Sequence, residues 1–278
     1  MKIKRKIKKL VILIILCISC FYFYNNFFVK EDDHIIMTKP SGNFDDNSSK
    51  EMSEEIINQL YDLSKEDERI LIIIKNKDTI PEILLEMLTR NLDLVDYVLS
   101  YNDYKGQVFA DNIGDVKKGE YPLLLQYDKR WGYGYYGDNV IAVNGCGPTS
   151  LAMVIAGLTG RNDVTPYTVA SDAYKNGYYD NGTKWSLFTE GVDKYNIEGE
   201  ELSLSKARMI NELMKKHPII ASMKPGDFTT TGHLIVITGI KDGKFVVNDP
   251  SSKERSEKLW SYEKIAPQIK NLWSFKRK

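Results

Sequence analysis

The sequence predicts an α+β fold, helices followed by an antiparallel sheet, set behind a membrane segment and a small helical appendage. Three observations predict it. An uncharged apolar run follows a basic arm at the N-terminus. Helical periodicity fills residues 51 to 100. From Tyr121 onward glycine, aromatic residues and strand patterns take over. The chain has 278 residues, 42% hydrophobic and 27% charged, an ordinary globular composition with room for a sizeable core.

Residues 1–9 form a cytoplasmic basic arm, with Lys2, Lys4, Arg5, Lys6, Lys8 and Lys9 and no acid. Setting these six aside leaves 32 basic against 38 acidic residues, a remainder of about −6 with no basic patch for nucleic acid. Residues 10–29 begin with Leu10 to Tyr24, which carries no charge, and are long enough to cross a bilayer. The flanking bases predict a cytoplasmic N-terminus and an extracytoplasmic remainder. A cleaved signal peptide is the competing reading, but no small-x-small cleavage site follows, so the expectation is an uncleaved single-pass signal anchor in the cell membrane. Cys17-x-x-Cys20 lies inside this segment, where its spacing is coincidental. Residues 30–50 are polar and read as a flexible tether.

Residues 51–105 read as a helical appendage that packs on the main domain or spaces it from the membrane. Apolar positions recur at helical spacing over Glu51 to Tyr61. Thr79 is the expected cap of a second helix with Pro81 in its first turn and Ile83, Leu84, Leu85 and Leu88 as its stripe, and another helix covers Leu92 to Leu99. No residue here suggests catalysis. The main domain, residues 120–276, is expected to hold a buried helix from Ser150 to Leu158 ended near Gly160, then helices at Pro166–Ala173, Leu187–Tyr195 and Lys206–Lys216. Strands are expected at Pro218–Met223, Gly232–Ile240 and Lys244–Asp249.

Cys146 is the only cysteine beyond residue 20 and sits in Asn144-Gly145-Cys146-Gly147-Pro148-Thr149-Ser150. An unpaired thiol in an exported domain calls for a reason, and nucleophilic catalysis supplies one. A helix N-terminus and a neighbouring imidazolium both favour the thiolate. Gly145 and Gly147 leave room for a substrate backbone, and Pro148 fits a first helical turn. Of three histidines, His34 is in the tether and His217 sits beside Lys215-Lys216 at a solvated helix end, so His233, which opens a buried strand, is the candidate base. Asp249 is the candidate orienting acid. In a three-residue hairpin loop, Lys241-Asp242-Gly243 with Gly243 left-handed, residue 249 opposes 235 and shares a face with His233; a two-residue loop puts it on the other face. The three-residue loop is expected.

These stretches, with Thr231-Gly232-His233-Leu234-Ile235-Val236, Val247-Asn248-Asp249-Pro250 and Gln126, resemble the bacterial papain-fold cysteine peptidases related to the double-glycine leader (bacteriocin-processing) peptidases. The resemblance covers Tyr121 to about Phe275. It implies a papain-like fold, a nucleophile helix and a sheet carrying His and Asp, a peptide or protein substrate, and an oxyanion donor upstream of the nucleophile, which Gln126 matches twenty residues ahead of Cys146. It implies catalytic roles for Cys146, His233, Asp249 and Gln126, and no cofactor. Leader cleavage is not carried over, because the expected topology puts the domain outside the cell and no P-loop is present. A cell-wall peptide amidase or transpeptidase of the same fold, and a non-catalytic peptide-binding module, are the alternatives. Gly132-x-Gly134-x-x-Gly137 follows no strand and opens no helix, so it reads as an aromatic loop at the lip of the cleft rather than a dinucleotide site. No His/Cys/carboxylate group has zinc spacing.

Overall fold

The computed structural model describes residues 54–278. The basic arm, the membrane segment and the tether, with Cys17, Cys20 and His34, lie outside the described residues. Among those described, no helix is long and apolar enough to cross a membrane.

The appendage contains α1 (Glu54–Leu63), α2 (Ile70–Lys75) and α3 (Glu82–Arg90). A 3-10 turn at Leu92–Leu94 then leads into α4 (Val95–Leu99) and α5 (Tyr101–Tyr104). The amphipathic stripes of these short helices need a common core, and Leu60, Ile73, Leu84, Leu88 and Val98 share one with Tyr127, Tyr133, Val140 and Ala142 of the following region. The Tyr97 ring stacks on Tyr133 at 4.3 Å. Their hydroxyls donate to Gly132 O and Tyr97 O respectively. The appendage is therefore packed on the main domain, and Tyr133 is core rather than lip. Thr79 does not cap α3, whose N-cap is Pro81. Lys77–Thr79 turns as a 3-10 helix, so the Thr79 hydroxyl donates back to Asn76 O.

The main domain opens with the short pair β1 (Tyr135–Tyr136) and β2 (Asn139–Val140), then α6 (Ile141–Asn144) and α7 (Cys146–Thr159). Gly160 ends α7 at φ 78°, a left-handed cap that glycine takes without strain. The Thr165 side chain caps α8 (Pro166–Lys175), with Pro166 in its first turn. The helix expected over Leu187 to Tyr195 is instead two 3-10 turns, Trp185–Phe188 and Asp193–Tyr195, separated by Gly191, a poor helix former packed against Leu187.

The sheet contains β3 (Ile197–Glu201), β4 (Ile219–Met223), β5 (His233–Lys241), β6 (Lys244–Asn248), β7 (Leu259–Trp260) and β8 (Ile269–Arg277), with α9 (Lys206–Met214) before β4. All pairings are antiparallel, in the order β3-β8-β4-β5-β6-β7. One face packs Ile220, Leu234, Val236, Trp273 and Phe275 against α7. The other packs Ile219, Ala221, Ile235 and Ile237 against Met209 and Leu213 of α9. Each isoleucine, leucine, valine or phenylalanine among them contributes roughly 1.5–3 kcal/mol by leaving water. With both faces covered, central strands β4 and β5 read as apolar runs, whereas β8 interrupts its buried residues with Lys270 and Asn271.

The β5–β6 hairpin corrects the expected loop. Lys241 pairs with Lys244 across a two-residue turn, Asp242-Gly243, and both turn residues have positive φ, 52° and 73°. This is a primed turn, which Asp-Gly favours because its twist matches the strands. On its own it would put Asp249 on the wrong face. The ladder slips by one residue at Thr238, however, between the pairs Gly239↔Val246 and Ile237↔Val247, and continues as Val236↔Asn248. That β-bulge supplies the offset the third loop residue was expected to give. Extending the register by one sets Asp249 opposite Ile235, in step with His233.

Candidate active site

Cys146 is the first residue of α7 and half-buried, directly after α6 and Gly145. The first turn is fixed by close packing. A Cβ on Gly147 would lie 2.5 Å from the Thr183 Oγ1, and one on Gly145 would lie 2.4 Å from the Ile141 carbonyl. Both glycines are thus required by the protein's own packing; the space at Gly147 is occupied by Thr183, not left for a substrate backbone. Pro148 sits in the same turn, where a missing N–H costs nothing. The Thr183 hydroxyl bonds the Tyr136 hydroxyl at 2.9 Å, beside α7. Burial, first, holds the Tyr136 phenol well above its usual range, with Cys146 among the groups that add to the shift. Beside it, Asn144 donates to Asp138 at 2.8 Å and to the Tyr179 hydroxyl at 2.9 Å, and Tyr179 donates to Asp138.

His233 is buried at the start of β5. Its Nε2 bonds Asp249 Oδ1 at 2.8 Å, and Ser251 Oγ lies 3.2 Å from the same nitrogen. Since a carboxylate only accepts, Nε2 carries a proton in this network. Burial pulls the imidazole pKa down. The charge and hydrogen bond of Asp249, with a further contribution from Cys146, outweigh burial and raise it to about 9. His233 is therefore held in its charged form at neutral pH. Asp249 is fully buried. Burial works to raise its carboxyl pKa, but His233 and Arg255 prevail and hold it below the usual carboxylate range.

Arg255 was not legible as a site residue. It lies on α10 (Lys253–Glu257), where the Ser252 side chain caps the helix by accepting from Arg255 N at 3.1 Å, and its Nε donates to Asp249 Oδ2 at 2.6 Å. The Ser251 N–H donates to Asp249 Oδ1 at 2.8 Å. A fully buried carboxylate needs more donors than one imidazole supplies, and that is the signal that a cation follows Asp249 closely in the chain.

Gln126 is buried and lies between the two halves. Its backbone N–H donates to Pro250 O at 2.8 Å, within the turn after Asp249. Its Nε2 donates to Ala142 O at 2.6 Å and to Val143 O at 3.4 Å, on the segment leading to Cys146. Reversing the amide would face its oxygen toward those two carbonyls, so the assignment is fixed, and Oε1 has no partner among the described residues. The structure brings Cys146, His233 and Asp249 together. It attaches Gln126 to both sides, without a hydrogen bond to any of the three side chains. His217 is remote in role: its Nδ1 pairs with Glu212 Oε2 at 2.7 Å.

Comparison with known proteins matches residues 97–276 to the model of the Peptidase_C39 like family. Among solved structures, the chain is similar to the peptidase domain of Streptococcus ComA, a bi-functional ABC transporter involved in a quorum-sensing pathway. That match has 20% identity and a TM-score of 0.40, over 57% of this chain and 100% of the other. It is also similar to a C39-like peptidase from Bacillus anthracis, at 18% identity and a TM-score of 0.36, over 60% of this chain and 99% of the other. No curated protein matches the chain.

Proposed function

Because the chain belongs to the Peptidase_C39 like family, we propose that it is a cysteine peptidase that cleaves peptide bonds through an acyl-enzyme on Cys146, with His233 as base and acid and Asp249 as its orienting group. One observation carries this reading: the buried 2.8 Å bond between His233 and Asp249, with Cys146, the only cysteine among the described residues, among the groups acting on the imidazole. Sequence separation of 16 residues along the hairpin and 87 from Cys146 makes that convergence hard to explain as packing alone.

The charge state of His233 sharpens the chemistry. An imidazole held protonated at neutral pH favours a neighbouring thiolate, so in this mechanism attack proceeds with the proton on His233. The thiolate adds to the amide carbonyl. The Cys146 backbone N–H and the Gln126 Nε2 hydrogen that gives up its 3.4 Å contact with Val143 O stabilise the oxyanion, His233 protonates the departing amine, and the same imidazole then activates water to release the acyl group. Together with the apolar run at residues 10–29, this describes a membrane-anchored peptidase with its catalytic domain outside the cytoplasm.

The test is the pH dependence of Cys146 alkylation by iodoacetamide in the full chain, read by peptide mass so that Cys17 and Cys20 are separated. Wild type is expected to label well below the pH at which a free thiol reacts. His233→Ala is expected to lose that low-pH labelling, and Cys146→Ala to lose the labelled peptide. Free-cysteine behaviour in wild type would overturn the reading. Trapping an acyl-enzyme and weighing the acyl group identifies the substrate class.

A further inference from the structure

The family match begins at residue 97, so α1 to α3 and the turn that follows them lie before it. These helices nevertheless reach the two loops that carry the base and the acid. Asn91, between α3 and the Leu92–Leu94 turn, donates from Nδ2 to the Ser251 carbonyl at 2.9 Å. Arg90, at the end of α3, donates to Thr230 Oγ1 at 2.9 Å, three residues before His233.

The Asn91 contact is the more informative one because of what Ser251 does. Its N–H donates to Asp249 Oδ1 and its hydroxyl lies 3.2 Å from His233 Nε2. Moving Ser251 therefore disturbs both members of the pair. The preceding carbonyl, Pro250 O, is already held by Gln126 N. Asn91 holds the next one, so the turn is fixed from two separate parts of the chain. The orientation of the Asn91 amide is settled by its other contact: Oδ1 accepts from Asp93 N at 3.1 Å, which leaves only Nδ2 to face a carbonyl. The ionisable groups around Asn91 are Tyr127, whose hydroxyl is 3.5 Å from Nδ2, and Asp93 with Lys253 at 3.8 Å beyond it. Arg255 faces the far oxygen of Asp249.

We propose that Asn91, in the appendage, is a positioning residue for the His233–Asp249 pair and acts through Ser251. This rests on the peptidase reading above, with the added consequence that the appendage is part of the catalytic apparatus rather than a spacer.

Two substitutions separate the donor from the cap. Asn91→Asp keeps the size and the acceptor for Asp93 N but removes the donor and adds charge. Asn91→Ser keeps a good cap, adds no charge and is too short to reach Ser251. Cys146 alkylation by iodoacetamide is followed against pH in the full chain, with a thermal melt on each variant. Both variants are expected to lose about tenfold in low-pH labelling while remaining folded at the assay temperature. Loss in both supports the proposal. Loss in only one, or in neither, overturns it; should the aspartate variant fail to fold, the serine variant decides alone. The peptidase reading fails separately, if wild type itself shows no low-pH labelling or if His233→Ala leaves it intact.

Discussion

Cys146 stands on a helix whose residues from Gly147 to Gly157 are all buried, whereas His233 and Asp249 sit at the open end of a hairpin, with Asp249 beyond the last residue of its strand. Cys146, the proposed nucleophile, is placed by local means: two glycines that admit close packing, a proline in the first turn and a continuous apolar helix. The proposed base and acid are placed by non-local means: a bulge eleven residues before Asp249, and an asparagine 160 residues away from the carbonyl it holds. The comparison teaches that the two halves of one site can fail independently. A helix N-terminus tolerates distant changes, while a hairpin pair depends on register and on every group that restrains the turn.

The sharpest break in that comparison is one glycine inserted after Ile235. It leaves the turn and the bulge in place but sets the new residue opposite Asp249, which moves Asp249 to the face opposite His233. Low-pH alkylation of Cys146 is expected to fall to the level of His233→Ala. Because β5 also pairs with β4, the melting temperature should fall too. The informative control is deletion of Thr238, the extra residue of the bulge. Gly239↔Val246 and Ile237↔Val247 then follow one another without a gap and Asp249 stays opposite Ile235, so labelling is expected to be largely retained. Full labelling in the insertion variant would show that register does not set the pair.

A smaller break is Asp249→Asn, which leaves shape and register but removes the charge. Loss of about 10²–10⁴-fold in the labelling rate at neutral pH is expected, by analogy with orienting carboxylates in other triads. The change also has a stability signature. The folded pKa of His233 is about 9 against 6.5 without partners. Wild type therefore binds the extra proton when folded, and this contribution is complete below about 6.5 and lost as pH rises toward 9. Urea melts across that window should show stability falling with pH in wild type and a flatter profile in Asp249→Asn. Parallel profiles would show that the carboxylate does not hold the imidazolium.

Legibility in the sequence follows the same division. The helix that carries Cys146, its glycine and proline neighbours and its left-handed terminus could be read from adjacent residues. His233 could be found because only three histidines exist and two had other surroundings. Asp249 was found through a wrong loop. Asp242-Gly243 is the dipeptide of a two-residue turn, and Gly239 inside the strand was the available sign of an irregular ladder. Which strand of a hairpin absorbs an extra residue depends on partners that local pattern does not contain. The same is true of β8, which pairs with β3 and β4 across long stretches of chain, and of Asn91, whose side chain shows its importance only once Ser251 is brought to it.

The smallest effect on labelling is expected at Arg255, and its direction separates tuning from positioning. Arg255→Met keeps the bulk of the side chain while removing the cation at Asp249 Oδ2. A buried carboxylate that loses one of its charged partners costs about 2–3 kcal/mol, below the full value for a buried pair because Arg255 is partly exposed. His233 and the Ser251 N–H still hold Oδ1, so the pair keeps its geometry and labelling at neutral pH is expected to fall less than tenfold. The acid side should move more visibly. Arg255 helps depress the Asp249 pKa below 3.8, and without it the carboxylate protonates at higher pH. A group with a depressed pKa stabilises the fold above its unfolded value and loses that contribution as pH falls. The stability gap between wild type and Arg255→Met should therefore be widest at neutral pH and narrow below about 4. In the labelling profile, the acid limb should shift upward with little change in its plateau. An unshifted limb with a collapsed plateau would mean that Arg255 fixes the position of Asp249 rather than its charge, and the hairpin half of the site would then depend on a third restraint, not two.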